Sequence, residues 1–463
     1  MNKALFTLLF FPFLALSQNG CWNDIYSGRA NSVFLKNDGS TWMTGQNVNG
    51  QLGVGNNTNS NQLINLNISG FVKFALGDYH VLAIKSDGTL WGWGQNNLGQ
   101  LGDGTLVDKN LPVQIGTDNN WIEISTGRRH STAIKSNGTL WAWGYNVDGS
   151  LGVGNTNEYL MPIQVGTDTN WSKISMGYYH SIAIKTNGTL WAWGWNDFGQ
   201  IGDGTFSPEG FKTSPIQIGT DQTWFMVKGG NAHTIALKND GTLWGWGWNA
   251  FGQLGDSTTI DRLLPVQIGN STNWTSISVG LGHTLALNSN GNIFSCGLNN
   301  AGQLGQGTIN SDPNSSLTQI SLSNSIIKIS CGSHFCNIID SNNNVISFGS
   351  NISGQFGNGN NTSNITPSNY VDCSTLSIDY FETNPQSIKI FPNPSKNYIT
   401  IQQKNELIEN YNFMIIDLFG RVVKKGNSKL NEHINIETLA NGNYIIQIET
   451  DKGEKLIEKL VKN

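Results

Sequence analysis

Charge is scarce in this chain of 463 residues, where Asp, Glu, Lys and Arg together make up only 13%. Positive charge is scarcer still: residues 18 to 383 hold 15 Lys and Arg against 23 Asp and Glu, a net of about −8. Nucleic-acid binding needs clustered positive charge to displace counterions from phosphates, so that class of partner is excluded. After the N-terminus no apolar run approaches the length of a bilayer span. Catalytic signatures are missing too, with no G-x-S-x-G element, no phosphate-cradling G-x-x-x-x-G-K-[ST] loop and no carboxylate pair on one short segment. The Asp103-Gly104 and Asp203-Gly204 loops lack calcium-ligand spacing and read as turns. No catalytic residue, metal or cofactor is expected.

What the chain does have is repetition. The stretch Lys185 to Gly204, KTNGTLWAWGWNDFGQIGDG, recurs with small changes; its turn residue has equivalents at Gly39, Gly88, Gly138, Gly188, Gly241, Gly291 and Asn343. Seven units of about fifty residues, each with several short strands and Gly-rich turns, are the signature of a radial β array. In each unit four strands are expected: a Trp-led one (Trp171 to Ser175), a His-led one (His180 to Lys185), a Trp-Ala-Trp one (Leu190 to Gly194) and a Pro-led one (Pro162 to Val165). The two middle strands are apolar on nearly every residue, which predicts burial on both faces. Asn187-Gly188 between them predicts a type I′ hairpin turn.

The recurring G-x-x-H, N-G-T-L-W-x-W-G and N-x-x-G-Q-L-G-x-G motifs, in register from Trp22 to Asp372, resemble the regulator of chromosome condensation repeat family. That resemblance implies an all-β, seven-bladed β-propeller. Departures fall at the ends: Asn31 and Phe335 stand where the His is expected, and Asn343 where the turn Gly is. Terminal repeats of an array are often atypical. Nuclear members of the family bind a small GTPase and chromatin, and a secreted bacterial propeller of similar build inhibits β-lactamase. No interface motif of those members is matched, so neither partner carries over, and guanine-nucleotide exchange is inherited by family name only.

The two ends read differently. Residues 1–17, with one charge at Lys3 and an apolar run from Ala4 to Leu16, are expected to be a secretory signal peptide. Lipid attachment at Cys21 is the alternative, although Gln18 stands where an aliphatic residue is wanted. After the propeller, 18–373, a polar linker at 374–386 leads to alternating strands in 387–463. There Phe391-Pro392-Asn393-Pro394, Asp417 to Val423 and Leu439 to Tyr444 resemble the type A C-terminal sorting domain of the type IX secretion system. That domain is a small β-sandwich recognised by secretion and sorting machinery; the strand pattern alone supports only an adhesion-like or carbohydrate-binding sandwich. The two ends together imply periplasmic transit, then a secreted or cell-surface protein without a membrane span.

Five cysteines in an exported chain invite a disulfide search. Cys21 and Cys373 flank the array, and a bridge between them would staple the ring; two unrelated thiols are the alternative. Cys296, Cys331 and Cys336 lack C-x-x-C spacing and read as small core residues.

Five histidines, His80, His130, His180, His233 and His283, repeat with the unit and are read as blade construction, for instance a ring nitrogen bonding a neighbouring loop backbone. Binding is sought where the repeats disagree. Blades three to five concentrate large side chains in strand-end loops: Arg128, Arg129, Tyr145, Tyr178, Tyr179, Trp195 and Trp248, with Phe198 and Phe251 as either anchors or packing between blades. Aromatic and Arg clusters anchor interfaces because rigid rings bury area at little entropic cost. The expected function is a non-enzymatic scaffold engaging an extracellular protein or glycan. A glycan-active enzyme is the alternative, and it requires two carboxylates about 5 to 10 Å apart, with Asp148 and Asp197 as candidates.

Overall fold

A computed structural model describes residues 22–206, 210–371, 388–403, 410–417, 422–429, 431–450 and 455–463. The chain divides into two compact units, Met1–Cys373 and Ser374–Asn463. In the first, each strand pairs antiparallel with its neighbours in sequence, giving seven four-stranded sheets. The blades run from Trp22 to Asn65, Phe71 to Gln114, Trp121 to Gln164, Trp171 to Gln217, Trp224 to Gln267, Trp274 to Ile320 and Ile326 to Val371. The described residues contain no helix.

Closure is visible at the seam between first and last blades. Ser131 Oγ donates to the Gln100 carbonyl and Ser181 Oγ to the Ser150 carbonyl, each 2.7 Å and each reaching the preceding blade. Ser32 Oγ makes the same bond, 2.8 Å, to Gln355 of blade seven. Lys328 Nζ also lies 3.0 Å from Asp24 Oδ2. The array is a closed ring.

Blade four shows how the sequence builds each sheet. His180–Lys185 is buried at every residue and Leu190–Gly194 at all but Trp191, as expected for a sheet covered on both faces. The turn between them is not type I′. The Gly188 N–H donates to the Lys185 carbonyl (2.9 Å), the Lys185 N–H to Thr189 (3.0 Å), and only Gly188 has a positive φ, +78°. This is a type I turn closed by a left-handed glycine, the three-residue hairpin. Asn187 Oδ1 accepts the Thr189 N–H and hydroxyl at 3.2 and 2.8 Å, which settles Asn187 without a left-handed backbone. In blade seven Asn343 takes the glycine's place, with φ +59°.

The repeated Trp and His hold blade to blade. Trp193 Nε1 donates to the Ser150 carbonyl of blade three at 2.9 Å, and Trp143 and Trp246 do the same one blade earlier and later. Four of the five histidines bond side chains of the following blade, not the loop backbone expected; His233 Nε2 has no hydrogen-bond partner among the described residues. Nε2 of His80, His130 and His180 lies 3.0 to 3.2 Å from the hydroxyls of Ser131, Ser181 and Thr234, and that of His283 lies 3.2 Å from Cys336 Sγ. The reason is steric: each ring folds back over its own loop glycine. A Cβ on Gly177 would sit 2.1 Å from His180 Cε1, so Nε2 is aimed past the loop at the next sheet. Burial pushes all five histidines down to about 3, so they are neutral.

Two cysteines depart from expectation. Cys331 and Cys336 form a disulfide rather than acting as separate small core residues, because they are directly opposed across the first hairpin of blade seven. Cys296 is a buried free thiol. The bridge considered between Cys21 and Cys373, and the signal peptide, lie outside the described residues.

The second unit pairs a three-stranded sheet, Ile388–Phe391, Tyr398–Gln403 and His433–Asn435, with a four-stranded one centred on Asn410–Asp417 and Gly442–Thr450. Between them lies an Ile-rich core including Ile399, Ile401, Phe413, Ile415, Ile446 and Leu460. Asn393 of the F-P-N-P motif clasps the terminal strand, Nδ2 donating to the Lys459 carbonyl (2.6 Å) and Oδ1 accepting the Val461 N–H (2.8 Å).

Candidate functional site on the axial loop face

The loops between first and second strands, G-x-x-H, converge on the ring axis. Their first variable residues are joined through the backbone: Arg128 N–H to Tyr178, Asn231 to Leu281, Leu281 to Ser333 and Ser333 to Arg29, at 3.2 to 3.4 Å. No such bond is present where Arg29, Asp78 and Arg128 meet. There, side chains take over. Asp78, almost wholly buried, lies 3.6 Å from Arg29 Nη1 and 3.3 Å from Arg128 Nε. Burial raises its pKa, and the charges of Arg29, Arg128 and Arg129 pull it back. A cavity of about 130 Å³ opens at this mouth.

Around the mouth the large side chains nominated from blades three to five form one continuous strip. Ring centroids run Tyr145 to Tyr179 (5.5 Å), Tyr179 to Trp195 (6.0 Å), Trp195 to Phe198 (5.6 Å), Phe198 to Trp248 (5.7 Å) and Trp248 to Phe251 (5.0 Å), with Tyr178 joining at Tyr179 (6.4 Å). Interplanar angles of 47° to 84° make the contacts tilted or edge-to-face, the arrangement ring quadrupoles favour. Phe198 bridges blades four and five, so it packs between blades and also belongs to the strip. Trp195, Trp248, Tyr178 and Tyr179 are half-buried, each keeping part of its surface in water.

Arg128 is spoken for inside this network. Its guanidinium lies 5.6 Å from the Tyr178 and Tyr179 ring centroids and donates to the Tyr179 hydroxyl at 2.6 Å. Arg129 differs, having no ion pair or side-chain hydrogen bond among the described residues. Its half-exposed cation is available to a ligand. Burial, with the Asp148 carboxylate next, pushes the Tyr145 hydroxyl up to about 12. Asp148 itself is raised by burial and by Asp197.

Arg29, Asp78 and Tyr79 complete the mouth and were not nominated from sequence. Arg29 stacks over Tyr79 at 4.8 Å and donates to its hydroxyl. The available signal was opposite charge at equivalent loop positions of neighbouring blades.

A family model described as RCC1-like domain matches residues 61–379. The chain belongs to the RCC1-like domain family. A second, described as secretion system C-terminal sorting domain, matches residues 389–463, and it makes the RCC1-like protein a secreted or cell-surface one. Among solved structures, yeast RCC1 (Prp20) bound to Kap60 has a TM-score of 0.65 at 20% identity, covering 81% of this chain and 92% of that one. Prp20p from Saccharomyces cerevisiae gives 0.65 at 21% identity over 77% and 89%. Human WBSCR16 gives 0.61 at 18% over 68% and 85%. These likenesses establish the propeller fold. The ultraviolet-B receptor UVR8 of Arabidopsis thaliana is 53% identical over 36 residues, so the chain spans 8% of the length of that curated relative.

Proposed function

We propose that this RCC1-like propeller is an exported, non-enzymatic binding scaffold whose axial loop face engages an extracellular protein or glycan, after a signal peptide and the sorting domain have taken it through the periplasm and across the outer membrane. The observation that carries the reading is the strip from Tyr145 to Phe251, in which aromatic rings from three blades meet beside Arg129, half-exposed and without an ion pair among the described residues. Side chains that every blade needs recur in every blade; these do not. A protein fits the strip better than a flat sugar chain, because tilted and edge-to-face contacts occupy ring faces that stacking on a sugar would need. The test is capture of partners from the organism's surroundings by the full chain, compared with a Trp195→Ala, Trp248→Ala, Arg129→Ala variant. Loss of a specific partner in the variant supports the site; identical capture removes it.

A second reading, a glycan-active enzyme, is favoured by one observation: Asp148 is held above the usual carboxylate range by burial and by Asp197 nearby. A raised acid beside a second carboxylate is the arrangement glycoside hydrolysis uses. Turnover of a glycan panel that disappears in Asp148→Asn would establish it. Binding without turnover leaves the scaffold.

A further inference from the structure

We propose that the Cys331–Cys336 disulfide is a reducible pair whose dithiol form, with His283, holds a single soft divalent cation of the zinc class. The ligand atoms of His283, Cys331 and Cys336 all lie within 4.8 Å of one another, and all three residues are buried. His283 Nε2 is already 3.2 Å from Cys336 Sγ. That placement follows from the repeat. In the seams between blades two and five the same histidine nitrogen points at Ser131, Ser181 or Thr234, and blade seven puts the Cys336 sulfur in that register. Opposite Cys336, the last residue of the inner strand is Cys331, where blades three to five carry Thr126, Met176 and Gly229. One imidazole and two sulfurs therefore converge at one seam only among the described residues.

Soft thiolates with an imidazole are the donor set that selects zinc-class ions over magnesium or calcium. Three protein ligands leave a fourth position. Cys331 borders both the axial cavity of about 130 Å³ and the adjoining one of about 330 Å³, so water or a small ligand can reach it. The chemistry balances as follows. A dithiol reductant gives two electrons and two protons to the Cys331–Cys336 bond and becomes a disulfide itself. The two thiols then release their protons to solvent as the cation binds.

The experiment uses the full chain with Cys21→Ser and Cys373→Ser, so that neither distal cysteine contributes. Reduced with a phosphine, desalted without oxygen and titrated with Co²⁺, it should bind one ion with thiolate-to-cobalt charge-transfer and tetrahedral d–d absorption; the oxidised chain should bind none. His283→Gln, with Trp fluorescence and circular dichroism confirming the fold, should weaken binding on the order of tenfold or more, and Cys336→Ser should abolish the charge-transfer band. The proposal is overturned if the native chain releases no thiols on reduction, if the reduced chain binds no cobalt, or if both variants bind as the parent does.

Discussion

Residues of the seams between blades and of the loops at the axis are direct neighbours in sequence and do opposite things. In blade four, Gly177 and His180 recur in every interior blade, and both are committed to packing: the ring lies over the glycine and its nitrogen reaches Thr234 of blade five. Between them, Tyr178 and Tyr179 give way to Asp78 and Tyr79 in blade two, Asn231 and Ala232 in blade five and Leu281 and Gly282 in blade six, and in blade four they face the mouth. The lesson is that repetition marks construction and variation marks what the ring presents outward.

That contrast is open to breakage, beginning with the seams. Trp193→Ala removes a wholly buried ring and its bond to Ser150, and is expected to destabilise by about 3–5 kcal/mol. All 16 Trp lie in the repeats, so the thermal shift of Trp fluorescence reports the propeller alone. Gly177→Ala would set a Cβ 2.1 Å from His180 Cε1 and 2.5 Å from the Gly230 carbonyl. A loss of about 1–3 kcal/mol is expected by the same readout; an unchanged melting temperature would contradict the packing described for every seam.

Acid should act on the seams as well. Five neutral histidines held near 3 in the fold return to about 6.5 when it opens. The unfolded chain therefore binds more protons between these values. Their contribution is fully present above about pH 6.5 and is lost as pH falls towards about 3. Melting temperature measured from pH 7 to pH 4 should fall, and less steeply in His180→Gln.

The axial face should respond least. Trp195→Ala loses edge-to-face contacts with Tyr179 and Phe198 and should cost about 1 kcal/mol. Arg129→Ala should stay within about 0.5 kcal/mol of the parent while weakening partner capture. A large stability loss at Arg129 would mean that the face is structural and would dissolve the contrast.

Much of this was legible in the residues. Seven turn residues at near-equal spacing gave the blade count, and apolar runs gave two-faced burial. What escaped depended on pairing across elements. Asn-Gly serves two hairpin turns, and Thr189 decides between them by bonding the Asn187 side chain. Asp78 meets its arginines only because blades one, two and three converge at the axis. Cys331 and Cys336 pair because that register is opposed in each blade, as Met176 and Ser181 are in blade four. Extending the repeat's register to the cysteines would have found the bond.

Each blade takes its four strands from one unbroken segment, including the first and the last. Val371 ends the outer strand of blade seven and Trp22 begins the inner strand of blade one, the same relation that Gln217 bears to Trp224 across the linker 218–223. The position of the chain's own break is thus topologically arbitrary: a circular permutant, joined there by a linker of that length and opened at any other crossover, would keep all seven sheets intact.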